Sequence, residues 1–153
     1  MRIKPIRVYL ENSVIGGYFN PGVDVPTRKL FDLFKQGIYL PVISSHVVAE
    51  LNVGAPQHVL DLLDTFDYEY YPTSDEMRAL SKLYLAEKIV SPKYEGDALH
   101  IAIATVLGVD LLVSWNFRHI VNYNRIKQFN TVNFREGYKI LEIRNPMEVI
   151  ENV

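Results

Sequence analysis

Short apolar runs without polar interruption are the feature of this sequence that most limits its fold. Leu111–Val113 is apolar at every position, and residues 7–10 form a β-rich, largely apolar run. Strands of this kind are typical of parallel sheets, which are buried on both faces and do not alternate polar with apolar residues. Parallel strands are joined by crossover segments, usually helices. The chain is therefore expected to alternate strands with helices.

The remaining hydrophobic patterns follow this alternation. Strand-like runs occupy residues 7–10, 38–43, 66–71, 111–113 and 139–143. Apolar spacing and start signals predict helices over residues 13–19, 25–35, 45–54, 56–63, 75–90 and 97–107, then a polar helical stretch and a last turn at Pro146. The order predicts an α/β three-layer sandwich, with helices on both faces of a mostly parallel central sheet. No repeat or linker is present, so we expect one domain over residues 1–153.

Composition excludes several classes of protein. The chain has no cysteine, which rules out disulfides, thiolate metal sites and cysteine nucleophiles. The basic N-terminus is not followed by a signal-type apolar stretch, and no segment is long enough to span a membrane. We expect a soluble, cytoplasmic protein that does not contact membranes. With 16 Lys and Arg against 18 Asp and Glu, any nucleic-acid binding needs a local basic patch.

Four polar residues fall where an α/β sheet places its ligands. Glu11 comes directly after the first strand, Glu50 lies on the helix after the second, and Asp97 is expected to begin the helix before the strand at 111–113. Asn116 follows that strand. Ligands bind beyond the carboxyl ends of parallel strands, at a topological switch point. The four side chains are therefore candidates for one site.

A divalent cation would make such a carboxylate cluster tolerable. Two carboxylates about 4 Å apart repel by about 4 kcal/mol in an effective dielectric near 20. A retained proton or a bound cation relieves this repulsion. Oxygen ligands without cysteine favour Mg²⁺ or Mn²⁺ over Zn²⁺, and such ions activate water for attack on a phosphodiester.

Each acid also has a local interpretation. Asp97 alone fits a helix N-terminus, where an acid complements the helix dipole, and Glu50 alone fits an exposed helix position. Glu11 is harder to explain locally, because carboxylates are poor strand formers. The prediction of a shared site therefore depends on the set of residues.

The order and spacing of these motifs resemble those of a known family. The segments are "VYLENSVIGGYF", "ISSHVVAEL" and "GDALHIAIATVLGVDLLVSWNFRHI". Together they resemble a PIN domain, the ribonuclease fold of VapC-type toxins in toxin–antitoxin systems, over nearly the whole chain. The segment around Asp97, a small residue and an acid before an alanine-rich helix, is the most specific match.

The resemblance implies metal-dependent phosphodiester hydrolysis at a carboxylate cluster. Position by position, it gives Glu11, Glu50 and Asp97 as the metal-binding acids and Ser13 as a hydroxyl residue that supports the first acid. Asn116 stands where a fourth acid is common. It also implies a homodimer and, for a toxin, an antitoxin protein as partner.

Two positions depart from the family pattern. The family usually has Asp at the position of Glu11, whose extra methylene moves the carboxylate by about 1.5 Å. Asn116 keeps an oxygen ligand but removes one negative charge. We therefore expect weaker metal binding than at a four-acid site.

Histidines and basic residues surround the candidate site. His46 and Glu50 are four apart on one helix, a spacing that suits a metal pair, but the sequence places no further nitrogen ligand beside them, so a capping or packing role is favoured. His100 is expected to be a hydrogen-bonded core residue. His119 is a candidate for positioning substrate.

The most basic stretch of the chain contains Arg118, Arg125 and Lys127, interleaved with Tyr123 and Phe129. Basic and aromatic side chains together can bind single-stranded RNA by phosphate contacts and stacking. A solvated helix face explains the same pattern equally well.

Three hypotheses follow. The first is an Mg²⁺- or Mn²⁺-dependent endoribonuclease that leaves a 5′-phosphate and a 3′-hydroxyl. The second is a PIN-like module that has lost catalysis and binds RNA or a protein partner. The third, an aspartyl-phosphate enzyme or receiver, needs a strand-end Asp nucleophile, and this chain has Glu11 there.

Overall fold

A computed structural model describes residues 4–151 of the 153 in the sequence. Its strands are β1 (Ile6–Leu10), β2 (Tyr39–Ser44), β3 (Glu69–Tyr71), β4 (Leu111–Val113) and β5 (Ile143–Arg144). Its helices are α1 (Asn12–Gly17), α2 (Asp24–Lys35), α3 (Ser45–Gly54), α4 (Gln57–Leu62), α5 (Asp75–Ala86), α6 (Glu95–Leu107), α7 (Tyr123–Arg135) and α8 (Pro146–Ile150). Short 3₁₀ turns at Leu63–Thr65 and Pro92–Tyr94 precede β3 and α6.

Within residues 4–151 the five strands form one sheet in the order β3-β2-β1-β4-β5, and every neighbouring pair is parallel. The predicted α/β architecture is confirmed. The central strand β1 is fully buried at Val8, Tyr9 and Leu10, because strands on both sides and helices on both faces cover it.

The direction of the crossover connections determines where the topological switch point of the sheet lies. From β1 the chain moves to β2 and β3 on one side, and it then returns across the sheet to β4 and β5 on the other. Right-handed crossovers therefore put α2–α4 on one face and α5–α7 on the opposite face. Helix contacts agree, since α1 contacts α2, α3 and α4, whereas α5 contacts α6 and α7. The topological switch point lies between β1 and β4, at their carboxyl ends.

The edge strands are shorter than the sequence predicts. Phe66, predicted to lie in a strand, packs its ring 5.0 Å from that of Phe31, and β3 begins only at Glu69. The predicted strand at 139–143 is wrong except at its last residue. Within this segment the Leu141 backbone hydrogen bonds to the side-chain amide of Asn130 and not to a neighbouring strand. The Leu141 N–H donates to Asn130 Oδ1 at 2.8 Å, and the Leu141 carbonyl accepts from Asn130 Nδ2 at 3.0 Å.

The bounds of three helices differ most from the predictions. Helix α1 spans Asn12–Gly17, with Glu11 as its N-cap, whereas residues 13–19 were predicted. Helix α6 begins at Glu95, so Asp97 lies in its first turn but does not start it. Helix α5 ends at Ala86 and not at residue 90, because Lys88 takes a positive φ of 58°. No helix within residues 4–151 combines the length and the apolar character that crossing a membrane requires.

Candidate metal centre

Glu11 lies at the switch point with its carboxylate buried. The β1–β4 pairing ends where its N–H donates to the Val113 carbonyl at 3.2 Å, and the residue is only 6% exposed. Its Oε1 accepts hydrogen bonds from Ser13 Oγ at 2.6 Å and Ser114 Oγ at 2.5 Å, and its Oε2 accepts one from Ser13 N at 3.0 Å. Two hydroxyls and a helix N-terminus thus hold the carboxylate in place.

Asn116 closes the turn after β4. Its N–H donates to Ser114 Oγ at 2.9 Å, and its Oδ1 accepts from the backbone N–H groups of Arg118 at 3.2 Å and His119 at 3.0 Å. The amide oxygen therefore stabilises the turn that carries His119.

Asp97 forms an ion pair or hydrogen bond with His119. Its Oδ2 lies 2.8 Å from His119 Nδ1, and the His119 ring also packs on Tyr94, with 3.9 Å between ring centroids. Asp97 lies in the first turn of α6, where the helix dipole favours a negative charge. His119, a sequence candidate for positioning substrate, is thus buried against a candidate metal-binding acid.

Glu50 meets two histidines. It shares one face of α3 with His46, whose Nε2 is 3.4 Å from Glu50 Oε1, and the same oxygen contacts Nε2 of His100 from α6. His100 is 1% exposed, as expected for a core histidine. The Glu50 side chain is 40% exposed, so this carboxylate lies between the core and solvent.

Tyr9 connects this cluster to the sheet. Its hydroxyl, fully buried on β1, lies 2.8 Å from His100 Nδ1 and 2.9 Å from Ser44 Oγ. Burial strongly raises the pKa of Tyr9, the hydrogen bond with Ser44 lowers it, and the nearby charges of Glu11 and Glu50 raise it further. The phenol therefore stays protonated, and both acids lie close enough to influence it.

The electrostatics of the cluster favour a charged Glu50 and a neutral His46. Burial would raise the pKa of Glu50, but the hydrogen bond and charge of His100 and the charge of His46 together lower it. Burial and the charge of His100 lower the pKa of His46, which outweighs the opposing effect of Glu50. A carboxylate beside a neutral imidazole is a combination that metal ions bind.

Gly96, which precedes Asp97 in the chain, packs against the Glu50 cluster. Its carbonyl oxygen is 3.1 Å from His46 Nε2, and a Cβ at this position would lie 3.2 Å from Glu50 Oε2. Among residues 4–151, the group of at least three His, Asp or Glu ligand atoms lying within 4.8 Å of one another consists of His46, Glu50 and His100. Joint metal binding by Glu11, Glu50 and Asp97 stays a prediction.

The basic stretch divides into bound and exposed cations. The Arg125 guanidinium donates to the backbone carbonyls of Ile89 and Arg118, so it holds α7 against the preceding segments. Arg118 is exposed, with its guanidinium 5.6 Å from the ring centroid of Tyr94, and Lys127 is exposed 5.5 Å from that of Tyr123. Within this stretch, Arg118 and Lys127 are therefore the exposed cations that a ligand can contact.

Sequence reasoning missed the convergence of His46 and His100 on Glu50, and it missed Ser114 as a partner of Glu11. The spacing of His46 and Glu50 was a signal, but the third member lies 50 residues from Glu50 in sequence. Nothing in the local pattern around His100 distinguishes it from an ordinary buried histidine.

No protein-family model and no curated protein matches this sequence. Solved structures do match. VapBC2 from Rickettsia felis, bound to a DNA fragment from its promoter, is 20% identical with a TM-score of 0.58, covering 92% of this chain and 98% of that chain. FitAcB from Neisseria gonorrhoeae is 13% identical with a TM-score of 0.57, covering 92% of this chain and 98% of that chain.

FitAB bound to an IR36 DNA fragment is 15% identical with a TM-score of 0.58, covering 91% of this chain and 94% of that chain. At these identities the likeness concerns the fold, and it extends over nearly the full length of both chains. The chain therefore has the PIN-like fold of VapC-type proteins that its sequence resembles.

Proposed function

We propose that this protein is a metal-dependent endoribonuclease that hydrolyses RNA phosphodiester bonds as the toxin of a toxin–antitoxin pair. The observation that supports the proposal is the position of Glu11 at the β1–β4 switch point of a PIN-like sheet, with Glu50 packed close to Gly96, the residue that precedes Asp97. An antitoxin protein, a homodimer and action in the cytoplasm belong to the same proposal.

The donor set fits Mg²⁺ or Mn²⁺. Among the described residues, Glu50 Oε2 and Asp97 Oδ1 accept no hydrogen bond, and Glu11 Oε2 accepts one, so each acid keeps an oxygen lone pair for a cation. Carboxylate oxygens are the ligands these ions prefer. Such an ion, when bound, supplies a more acidic water and stabilises charge on the phosphate.

The chain itself positions the acids and the substrate. Ser13 and Ser114 fix the Glu11 carboxylate, which limits the reorganisation that its ligand role requires. His119 orients the Asp97 carboxylate through its Nδ1. Arg118 and Lys127 are placed to contact RNA phosphates, and Tyr123, 74% exposed, offers a face for base stacking.

Asp97→Asn tests the proposal directly. The substitution keeps the size of the side chain but removes the charge that a divalent ion needs, so we expect RNA cleavage with Mn²⁺ to fall by at least about 100-fold. Asp67→Asn is the matched control, because Asp67 is exposed and distant in sequence from the four candidate residues. Cleavage by Asp97→Asn at the wild-type rate would remove Asp97 from the active site.

A second candidate function is a PIN-like module that binds RNA or a protein partner without cleaving. It is favoured by the hydrogen bonds that occupy the Glu11 carboxylate and the Asn116 amide oxygen. Calorimetry with Mn²⁺ separates the two. Heat of binding that Asp97→Asn abolishes favours the nuclease, whereas no heat at millimolar Mn²⁺ favours the binding module.

A further inference from the structure

We propose that His46, Glu50 and His100 form a binding site for a transition-metal dication, with Zn²⁺ as the expected occupant. The site differs in its ligand chemistry from the carboxylate cluster discussed above, although both include Glu50. It does not depend on nuclease activity, because its occupancy can be measured without RNA.

The spacing of the ligand atoms fits a common metal ion. His46 Nε2 lies 3.4 Å from Glu50 Oε1, and His100 Nε2 contacts that same oxygen. Ligands at about 2.0–2.1 Å from a tetrahedral Zn²⁺ are about 3.4 Å from one another. All three ligand atoms lie within 4.8 Å of one another. His100 Nε2 and Glu50 Oε1 are in direct hydrogen-bond contact, so these two atoms have to move apart for one ion to bind both.

The Nε2 atoms of both histidines face oxygen acceptors. His46 Nε2 is directed at the Gly96 carbonyl and Glu50 Oε1, and His100 Nε2 at Glu50 Oε1. An imidazole nitrogen facing these oxygens must either carry a proton or face a cation held between them. A bound Zn²⁺ would take the place of the two Nε2 protons, with each neutral ring carrying its proton on Nδ1 instead, and it would be ligated by Glu50 Oε1.

Tyr9 supplies the outer support that metal-binding histidines normally have. Its hydroxyl lies 2.8 Å from His100 Nδ1 and is itself hydrogen bonded to Ser44 Oγ. When His100 carries its proton on Nδ1, it donates to the Tyr9 oxygen, and its Nε2 lone pair is directed toward Glu50. Such a partner fixes both the tautomer and the ring orientation of a ligand histidine.

A glycine and a cavity give the ion room and access. Gly96 packs closely on the cluster, since a Cβ there would lie 3.2 Å from Glu50 Oε2 and 3.8 Å from the His46 ring. His46 and Gly96 also line a cavity of about 400 Å³ that opens to solvent. A fourth ligand, such as water, can reach the ion from this side, as in zinc sites that keep an open position.

The nitrogen ligands determine the choice of metal. Imidazole suits Zn²⁺ and its neighbours in the transition series, whereas Mg²⁺ prefers carboxylates and water. Zn²⁺ is therefore expected to bind here in the presence of excess Mg²⁺.

Isothermal calorimetry with Zn²⁺ and optical spectroscopy with Co²⁺ test the site in the full chain without RNA. We expect one ion per chain and the intense visible absorption of tetrahedral Co²⁺. His46→Ala should weaken binding by at least about tenfold. His58→Ala is the matched control, because His58 is an exposed histidine that packs on Phe19 and lies outside the cluster, and it should bind as wild type.

Two further measurements keep the result decisive. In wild-type protein, the ring ¹⁵N resonances of the four histidines should show Zn²⁺ on His46 and His100 but not on His58, even if His46→Ala fails to fold. Asp97→Asn, which tests the nuclease, should keep its Zn²⁺ affinity. The proposal is overturned if wild type binds no Zn²⁺ at millimolar concentration, if His46→Ala binds like wild type, or if Asp97→Asn loses the ion equally.

Discussion

At the residue scale, Glu11 shows how a charged side chain can be kept inside the end of a parallel sheet. An isolated buried carboxylate costs several kcal/mol, but here two serine hydroxyls, a backbone N–H and the start of α1 surround it. The sequence indicated the position of the acid directly after the first strand. It did not indicate Ser114, because that hydrogen bond joins residues 103 apart in the chain.

Ser114→Ala should destabilise the fold by about 1–3 kcal/mol, since it removes a donor from a buried carboxylate and an acceptor from the Asn116 N–H. Urea unfolding at pH 7 measures the change in the free energy of unfolding. Ser91→Ala is the control, because Ser91 is exposed and makes no side-chain cap hydrogen bond. Equal stabilities for the two variants would show that Glu11 does not need Ser114.

At the element scale, α6 carries Asp97 and His100, and its C-terminus was predictable from sequence. A glycine directly after the last apolar residue of a helix is a stop signal, and Gly108 ends α6 with a left-handed φ of 63°. A residue with a Cβ in this conformation is strained by about 1–2 kcal/mol. The start of α6 was less predictable, because the 3₁₀ turn at Pro92–Tyr94 leads into the helix two residues before Asp97.

A pair of glycine substitutions isolates this backbone effect. Gly108→Ala should lower the free energy of unfolding by about 1–2 kcal/mol, whereas Gly54→Ala, at the end of α3, should leave it unchanged or raise it by up to about 1 kcal/mol. A new Cβ meets nothing within 4 Å at either position, so only the backbone conformation differs. Equal effects in chemical denaturation would exclude the left-handed strain as the cause.

The positions of strands and helices were predictable where the local hydrophobic pattern determines them. They were not predictable where contacts between distant parts of the chain determine them. The apolar run at β4 and the helical spacing of α2 give their positions correctly. The segment before β5 is held by Asn130 of α7, whose side-chain amide accepts from the N–H of Leu141 and donates to its carbonyl. The histidine cluster likewise depends on contacts between residues of α3 and α6 that lie 50 apart in the chain, and no local spacing encodes these contacts.

At the scale of the whole molecule, charge limits how this protein can bind RNA. The formal net charge is −2, so there is no general attraction to a polyanion, and a local surface must supply it. Arg125 is committed to backbone carbonyls, which leaves Arg118 and Lys127 as the exposed cations of the basic stretch. Binding should therefore involve few phosphate contacts and depend only moderately on salt.

The dependence of RNA affinity on salt measures these contacts. In EDTA, which prevents cleavage, the logarithm of the association constant for single-stranded RNA should fall with the logarithm of salt concentration. Arg118→Ala and Lys127→Ala should each lower the affinity and make this slope shallower by about 0.7, the value for one lost phosphate contact on a single strand.

Lys29→Ala is the control. Lys29 is an exposed lysine on α2, on the opposite face of the sheet from α7, so its substitution should leave both affinity and slope unchanged. If all three variants behave alike, RNA does not bind at the Arg118–Lys127 surface, and the basic stretch is a solvated helix face.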